Sequence, residues 1–136
     1  MTSEIVTTLI NQHQVFLGEW MPRVEQLASS SSIQVIELVN TLKSELQQHI
    51  TKEEQILFPL ISEGKAKWAG STVSTLQTEH RDHTQLFNEI ESLISGDISQ
   101  QPLLDILNQF NQVLSAHVEL EEQILFPRAL SGERIG

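Results

Sequence analysis

One block of eleven residues is written twice in this chain, as HITKEEQILFP over residues 49–59 and as HVELEEQILFP over residues 117–127. Eight of the eleven positions are identical, and 68 residues separate the copies. In each copy a Glu follows the His by four positions, so Glu53 shares a helical face with His49, and Glu121 with His117. The same faces carry apolar residues, which directs them toward a core. An ionised carboxylate there costs several kcal/mol unless something positive compensates it. Lysine and arginine total 8 against 18 acidic residues. A bound metal cation is the compensation the pattern asks for.

Helix-period patterning dominates the rest of the sequence, and strand-type alternation is scarce. A first helix is predicted from Glu4 to Leu27, with Ile5, Leu9, His13, Phe16, Leu17 and Trp20 at steps of three and four. The run Ser29 to Ser32 then breaks the pattern and offers an N-cap. A second helix is predicted from Ile33 to Ile61, its inward stripe formed by Ile36, Val39, Leu42, Leu46, His49, Glu53, Ile56 and Leu57. Gly64 marks its end, and GKAKWAGS reads as a loop. A third spans Thr72 to Ser95 with Val73, Leu76, His80, His83, Phe87, Ile90 and Ile94 on one face, closed by Gly96. The fourth starts at Pro102 and runs to Leu130 through Leu103, Ile106, Phe110, Val113, Leu114, His117 and Glu121. Pro22, Pro59 and Pro127 lie near helix ends, where each is expected to kink a last turn or two. Four long amphipathic helices with short connections specify an all-α, antiparallel up-down-up-down four-helix bundle. Residues 1–136 are read as a single domain.

All five histidines fall on or beside the apolar stripes, one or two per helix. His13 and His49 are 36 residues apart and His80 and His117 are 37 apart, so the first helix pair resembles the second. Alternating helix directions place the second and fourth helices on one diagonal and the first and third on the other. His13, His49, Glu53, His80, His117 and Glu121 would then meet at one level of the core. Four imidazoles and two carboxylates suit two borderline metal ions, each taking two His with both Glu bridging; the donors fit non-haem iron, with manganese and zinc still open. With a bridging oxide or hydroxide, a position is left for a small exogenous ligand. Glu54 and Glu122, one helical step of about 100° away, read as solvated. The Ile-Leu-Phe-Pro segments read as an apolar wall beside the site, acting on access and redox behaviour.

Composition narrows the function. The formal net charge of −10 disfavours nucleic acid and anionic lipid as partners. The sequence contains no cysteine, compatible with a reducing cytoplasm, and no apolar stretch of membrane-spanning length. No nucleophile with a positioned base and no Gly-rich phosphate loop is present. Tyrosine is absent, and the His-then-Glu order at spacing four differs from the Glu-x-x-His pairs of ferritin-type bundles.

The segments LKSELQQHITKEEQILFPLI, STLQTEHRDH and LSAHVELEEQILFPRAL, preceded by the less specific HQVFLGEWMP, resemble the hemerythrin-like (HHE) family. Within it they are most similar to the C-terminal domain of the di-iron repair-of-iron-centres proteins of the ScdA/YtfE type. The likeness runs from about Ile10 to Glu133. It implies a hemerythrin-like bundle with two iron ions, terminal ligands His13, His49, His80 and His117, and bridging Glu53 and Glu121. It also implies repair of iron–sulfur clusters under nitrosative or oxidative stress, with damaged iron–sulfur proteins as partners and NO or O2 as ligand, and leaves redox turnover of NO or O2 open. Full-length repair proteins add a small cysteine-bearing N-terminal domain, so thiol-dependent steps are not carried over to this sequence. A second reading is an O2- or NO-binding carrier or sensor, because oxygen-carrying hemerythrins use five histidines with a pair on the third helix. His83, three residues after His80, leaves an additional ligation open beside a supporting or surface role.

Overall fold

A computed structural model describes residues 2–65 and 68–131. The first helix, α1, occupies residues 2–28 as α-helix Thr2–Val15, a π-helical turn Phe16–Trp20 and α-helix Met21–Ala28. The second, α2, occupies residues 33–62 in the same three-part form, Ile33–Lys52, Glu53–Leu57 and Phe58–Ser62. The third, α3, is an uninterrupted α-helix, Gly70–Ile94. A short 3-10 turn, Ile98–Gln100, leads into α4 over residues 101–130, built from Gln101–Leu120, a π turn Glu121–Leu125 and Phe126–Leu130. Every helix end lies within two residues of its expected position. No strand occurs among the described residues. Part of the expected loop falls on residues 66–67, and the end of the family likeness on residues 132–133, outside the described residues.

Local chemistry sets the ends. The Ser32 side chain accepts a hydrogen bond from the Val35 N–H at 3.3 Å and caps α2. Gly64 and Gly96 adopt positive φ of 71° and 86°, a conformation that carries little penalty only without a Cβ, and they turn the chain out of α2 and α3. Pro102 sits in the first turn of α4, where a missing N–H is harmless. Each helix packs against its chain neighbours, and α1 also packs on α4, which puts α1 opposite α3 and α2 opposite α4. This is the up-down-up-down bundle.

The prolines act differently from the expectation. Each is preceded by a π turn, closed by bonds from Met21 N–H to Phe16 O, from Phe58 N–H to Glu53 O and from Phe126 N–H to Glu121 O. In a regular helix the ring of Pro22, Pro59 or Pro127 would collide with the carbonyl four residues earlier, and the wider turn relieves that clash. The helix then continues beyond the proline in each case. In α3, which has no proline, the helix stays regular.

A π turn also rotates everything after it. Ile56, expected on the inward stripe, is 47% exposed, while Leu57, also expected there, is buried and is joined by Phe58. Val113 is 39% exposed, because Phe110, Leu114 and His117 hold the seam and Val113 falls on its shoulder. In α3, where the period is unbroken, all seven expected residues are buried.

The apolar core is in two pieces. One gathers Phe16, Met21, Val24, Leu42, Phe87, Ile90, Leu107 and Phe110 with their neighbours. The other gathers Leu9, Leu57, Phe58, Ile61, Leu76, Leu125, Phe126 and Ala129. Between them lies a layer of buried polar side chains: His13, His49, Glu53, His80, His83, His117 and Glu121.

Candidate metal centre

In that layer the six residues singled out from the sequence converge. Ligand atoms of His13, Glu53, His117 and Glu121 lie within 4.8 Å of one another, and so do those of His49, Glu53, His80 and Glu121. Glu53 and Glu121 belong to both groups. Two groups of ligand atoms that could each hold a cation, sharing two carboxylates, are therefore present, one between α1 and α4 and the other between α2 and α3.

The imidazoles all turn the same edge inward. His49 Nε2 is 2.8 Å and His13 Nε2 3.8 Å from Glu53 Oε1. His80 Nε2 is 3.1 Å from Glu121 Oε1, and His117 Nε2 is 3.6 Å from Glu121 Oε2. The Nε2 atoms of His49 and His80 face each other at 3.2 Å, a spacing two nitrogens sharing one cation can adopt.

The outward Nδ1 atoms form a closed ring of contacts. His13 Nδ1 donates to Glu54 Oε2 at 2.7 Å, His49 Nδ1 to Glu79 Oε1 at 2.8 Å, His80 Nδ1 to Glu122 Oε1 at 3.0 Å, and His117 Nδ1 to Gln12 Oε1 at 2.6 Å. Every helix receives a bond from one neighbour and gives one to the other. An N–H at Nδ1 leaves the Nε2 lone pair facing the centre, the tautomer a metal ligand requires. Lys52 bonds the second oxygen of Glu79 and holds that carboxylate in place.

These acceptors correct the reading of Glu54 and Glu122 as solvated. Each is about one-third exposed, with one carboxylate oxygen committed to a histidine on the next helix. Gln12 and Glu79 were missed altogether. The signal was present in the sequence: every acceptor is the chain neighbour of a buried polar residue, as in Gln12-His13, Glu53-Glu54, Glu79-His80 and Glu121-Glu122. One helical step turns a side chain from the bundle axis toward the adjacent helix.

Electrostatics test whether a cation fits. Glu53 and Glu121 are fully buried, and none of their four carboxylate oxygens has an aligned hydrogen-bond donor, the 2.8 Å approach of His49 included. His13 Nε2 is likewise buried without a partner. Such atoms are costly to leave unpaired, and a cation between them satisfies all of them together. Burial, reinforced by the neighbouring histidines, pushes His117 down to about 2. Burial also lowers His80, against the pull of Glu122. Burial opposes charge on His49 too, but Glu53 and Glu79 outweigh it and raise its pKa. Burial thus favours the neutral form of His80 and of His117, the form in which an imidazole ligates a cation.

Aromatic rings wall the layer. Phe58 stacks on His13 at 6.3 Å between centroids and Phe126 on His80 at 6.0 Å. Phe16 meets His117 edge-on at 5.0 Å. The Phe of each repeated block thus forms the expected apolar wall, while Ile56 and Ile124 face outward. His83 lies outside both ligand groups, edge-on to His49 at 5.0 Å, and burial takes its pKa to about 3. A groove of about 630 Å³ between α3 and α4, lined by His80, His83, Phe87, Leu114, Val118 and Glu122 among others, reaches the layer from outside.

Comparison with known proteins also points to cation binding. The family described as Hemerythrin HHE cation binding domain matches residues 4–129. An iron-sulfur cluster repair protein YtfE from Dickeya chrysanthemi is 34% identical over 125 residues, covering 86% of this chain and 56% of its own length. A probable iron-sulfur cluster repair protein from Haemophilus influenzae is 31% identical, covering 96% of this chain and 65% of its own length. The chain thus spans about half the length of the curated relatives it matches, from 46% to 65%. Among the described residues no helix is long and apolar enough to cross a membrane.

Proposed function

Because the chain belongs to the hemerythrin HHE cation-binding domain family, we propose that residues 1–136 act as a single hemerythrin-like domain holding two iron ions. In this reading His13 and His117 serve one ion, His49 and His80 the other, and Glu53 and Glu121 bridge them. The observation that carries it is the four buried, unpartnered carboxylate oxygens set among four imidazoles. Bound iron would supply a centre able to change oxidation state, to take a small ligand such as NO or O2, and to be passed to an acceptor.

The protein's own residues prepare that centre. Glu54, Glu79, Glu122 and Gln12 fix the four rings with Nε2 inward. Phe58 and Phe126 shield His13 and His80 from water on the side of the second apolar cluster. The groove beside His80 gives a small ligand its approach.

The activity served is the repair of iron–sulfur clusters damaged by nitrosative or oxidative stress, in a reducing cytoplasm, with damaged iron–sulfur proteins as partners. The names of the relatives support it. To test it, iron-loaded protein is mixed with a cluster enzyme inactivated by NO. Recovery above that given by the same amount of free ferrous iron is expected, and recovery no better than free iron refutes the role. Cycling oxygen over the reduced protein separates the alternative: a fully reversible optical change without repair identifies a carrier or sensor.

A further inference from the structure

We propose that the two cation positions are unequal: the one between His49 and His80 binds tightly, and the one between His13 and His117 fills last and empties first. This rests on the di-iron reading and deepens it, by assigning which ion the protein can give away.

The layer is nearly two-fold symmetric. Advancing α1 by 67 residues carries His13 onto His80, and advancing α2 by 68 carries His49, Glu53, Glu54 and Phe58 onto His117, Glu121, Glu122 and Phe126. The residue types match at each of these places. Among the direct hydrogen-bond and ring partners of these histidines they differ at two, where Gln12 corresponds to Glu79 and Phe16 to His83, and Lys52, which bonds Glu79, corresponds to Leu120. Both differences touch the same pair of equivalent histidines. His117 has Gln12 on its Nδ1 and the edge of Phe16 at 5.0 Å, whereas His49 has Glu79 on its Nδ1 and the edge of His83 at 5.0 Å.

The chemistry follows from the acceptor. An Nδ1–H donated to a carboxylate makes a charge-assisted bond that leaves Nε2 a stronger donor to a metal. An amide oxygen carries only a partial charge, and of the four rings only His117 faces one. Lys52 shares Glu79, but its side chain is 37% exposed, so solvent screens much of its charge while Glu79 keeps an oxygen on His49. Glu53 and Glu121 serve both positions and cannot distinguish them. Position for position, the weakest donor lies on the His13/His117 side. Release from that side leaves one cation to compensate Glu53 and Glu121.

Gln12 is thus a positioning residue that acts through His117. The first test is anomalous diffraction at the iron edge from crystals prepared anaerobically with one equivalent of ferrous iron per chain. Iron concentrated between His49 and His80 is expected; even division, or preference for His13 and His117, overturns the proposal. At two equivalents both positions should fill, and no iron at either overturns the di-iron reading together with this one. The second test is ferrous iron titration against a competing chelator. Gln12→Glu should tighten the weaker step about tenfold and Glu79→Gln should weaken the tighter step by a similar factor. A weaker step unmoved by Gln12→Glu, in protein of unchanged helicity, overturns the proposal.

Discussion

The polar layer and the two apolar clusters that flank it are built from the same helices by opposite rules. In the clusters every buried side chain matches its neighbours, and burial itself stabilises the fold. In the layer, seven polar side chains are nine-tenths or more buried, and two of them are carboxylates with no donor. Nothing about packing asks for them. The clusters therefore hold the bundle, and the layer spends part of that stability to keep a charged, pre-aligned cage open for a cation, as functional sites commonly do.

The sharpest way to break this contrast is to remove the shared carboxylates. Glu53→Ala with Glu121→Ala should abolish iron binding by metal analysis, while the metal-free double variant keeps its helicity and unfolds no more easily than the metal-free parent. Unchanged iron content would show that these residues are not ligands. Next in size is the apolar side. Leu57→Ala should lower unfolding stability by about 2–5 kcal/mol in denaturant titration, because it empties a fully buried site, and iron content should not change. Ile56→Ala, one residue earlier, should stay within about 0.5 kcal/mol, because the π turn has rotated Ile56 outward. Equal losses at the two positions would contradict the phase shift.

The smallest effect concerns pH in the metal-free protein. Burial first, and then the neighbouring histidines, hold His117 near 2 and His83 near 3, against about 6.5 in an unfolded chain. A lowered histidine pKa means that the unfolded state takes up more protons as pH falls below about 6.5, so this contribution is complete above that pH and is lost on acidification. His80 acts in the same direction, and His49, whose pKa is raised, partly offsets them. The denaturation midpoint should therefore fall between pH 7 and pH 5. His83→Phe, which copies Phe16 of the other half, should flatten that slope, whereas Leu57→Ala should leave it intact. A slope unaltered by His83→Phe would mean that His83 is not desolvated.

How far the sequence could be read depended on the element. In α3 the period of 3.6 is unbroken and all seven expected inward residues are buried. In α2 the same arithmetic failed at Ile56, three residues into the turn where Pro59 forces a wider helix. The convergence of the six candidate residues was legible because their spacing within a helix is short and the bundle's alternation fixes the rest. Glu54 and Glu122 were misjudged because, on one helix considered alone, they do face away from the axis; the partner that claims each of them belongs to the next helix. The family match over residues 4–129 agrees with the likeness read from the repeated blocks.

Sequence alone determined the helices, the near-repeat of the two halves and the residue types aimed at the centre, since these follow from local periodicity and from the cost of burying charge. Tertiary structure decided the division of the core by a polar layer, the ring of bonds that orients the imidazoles, and the placing of Gln12 and Phe16 together on His117. Those features depend on the rotation and distance of one helix relative to another, which no single helix encodes.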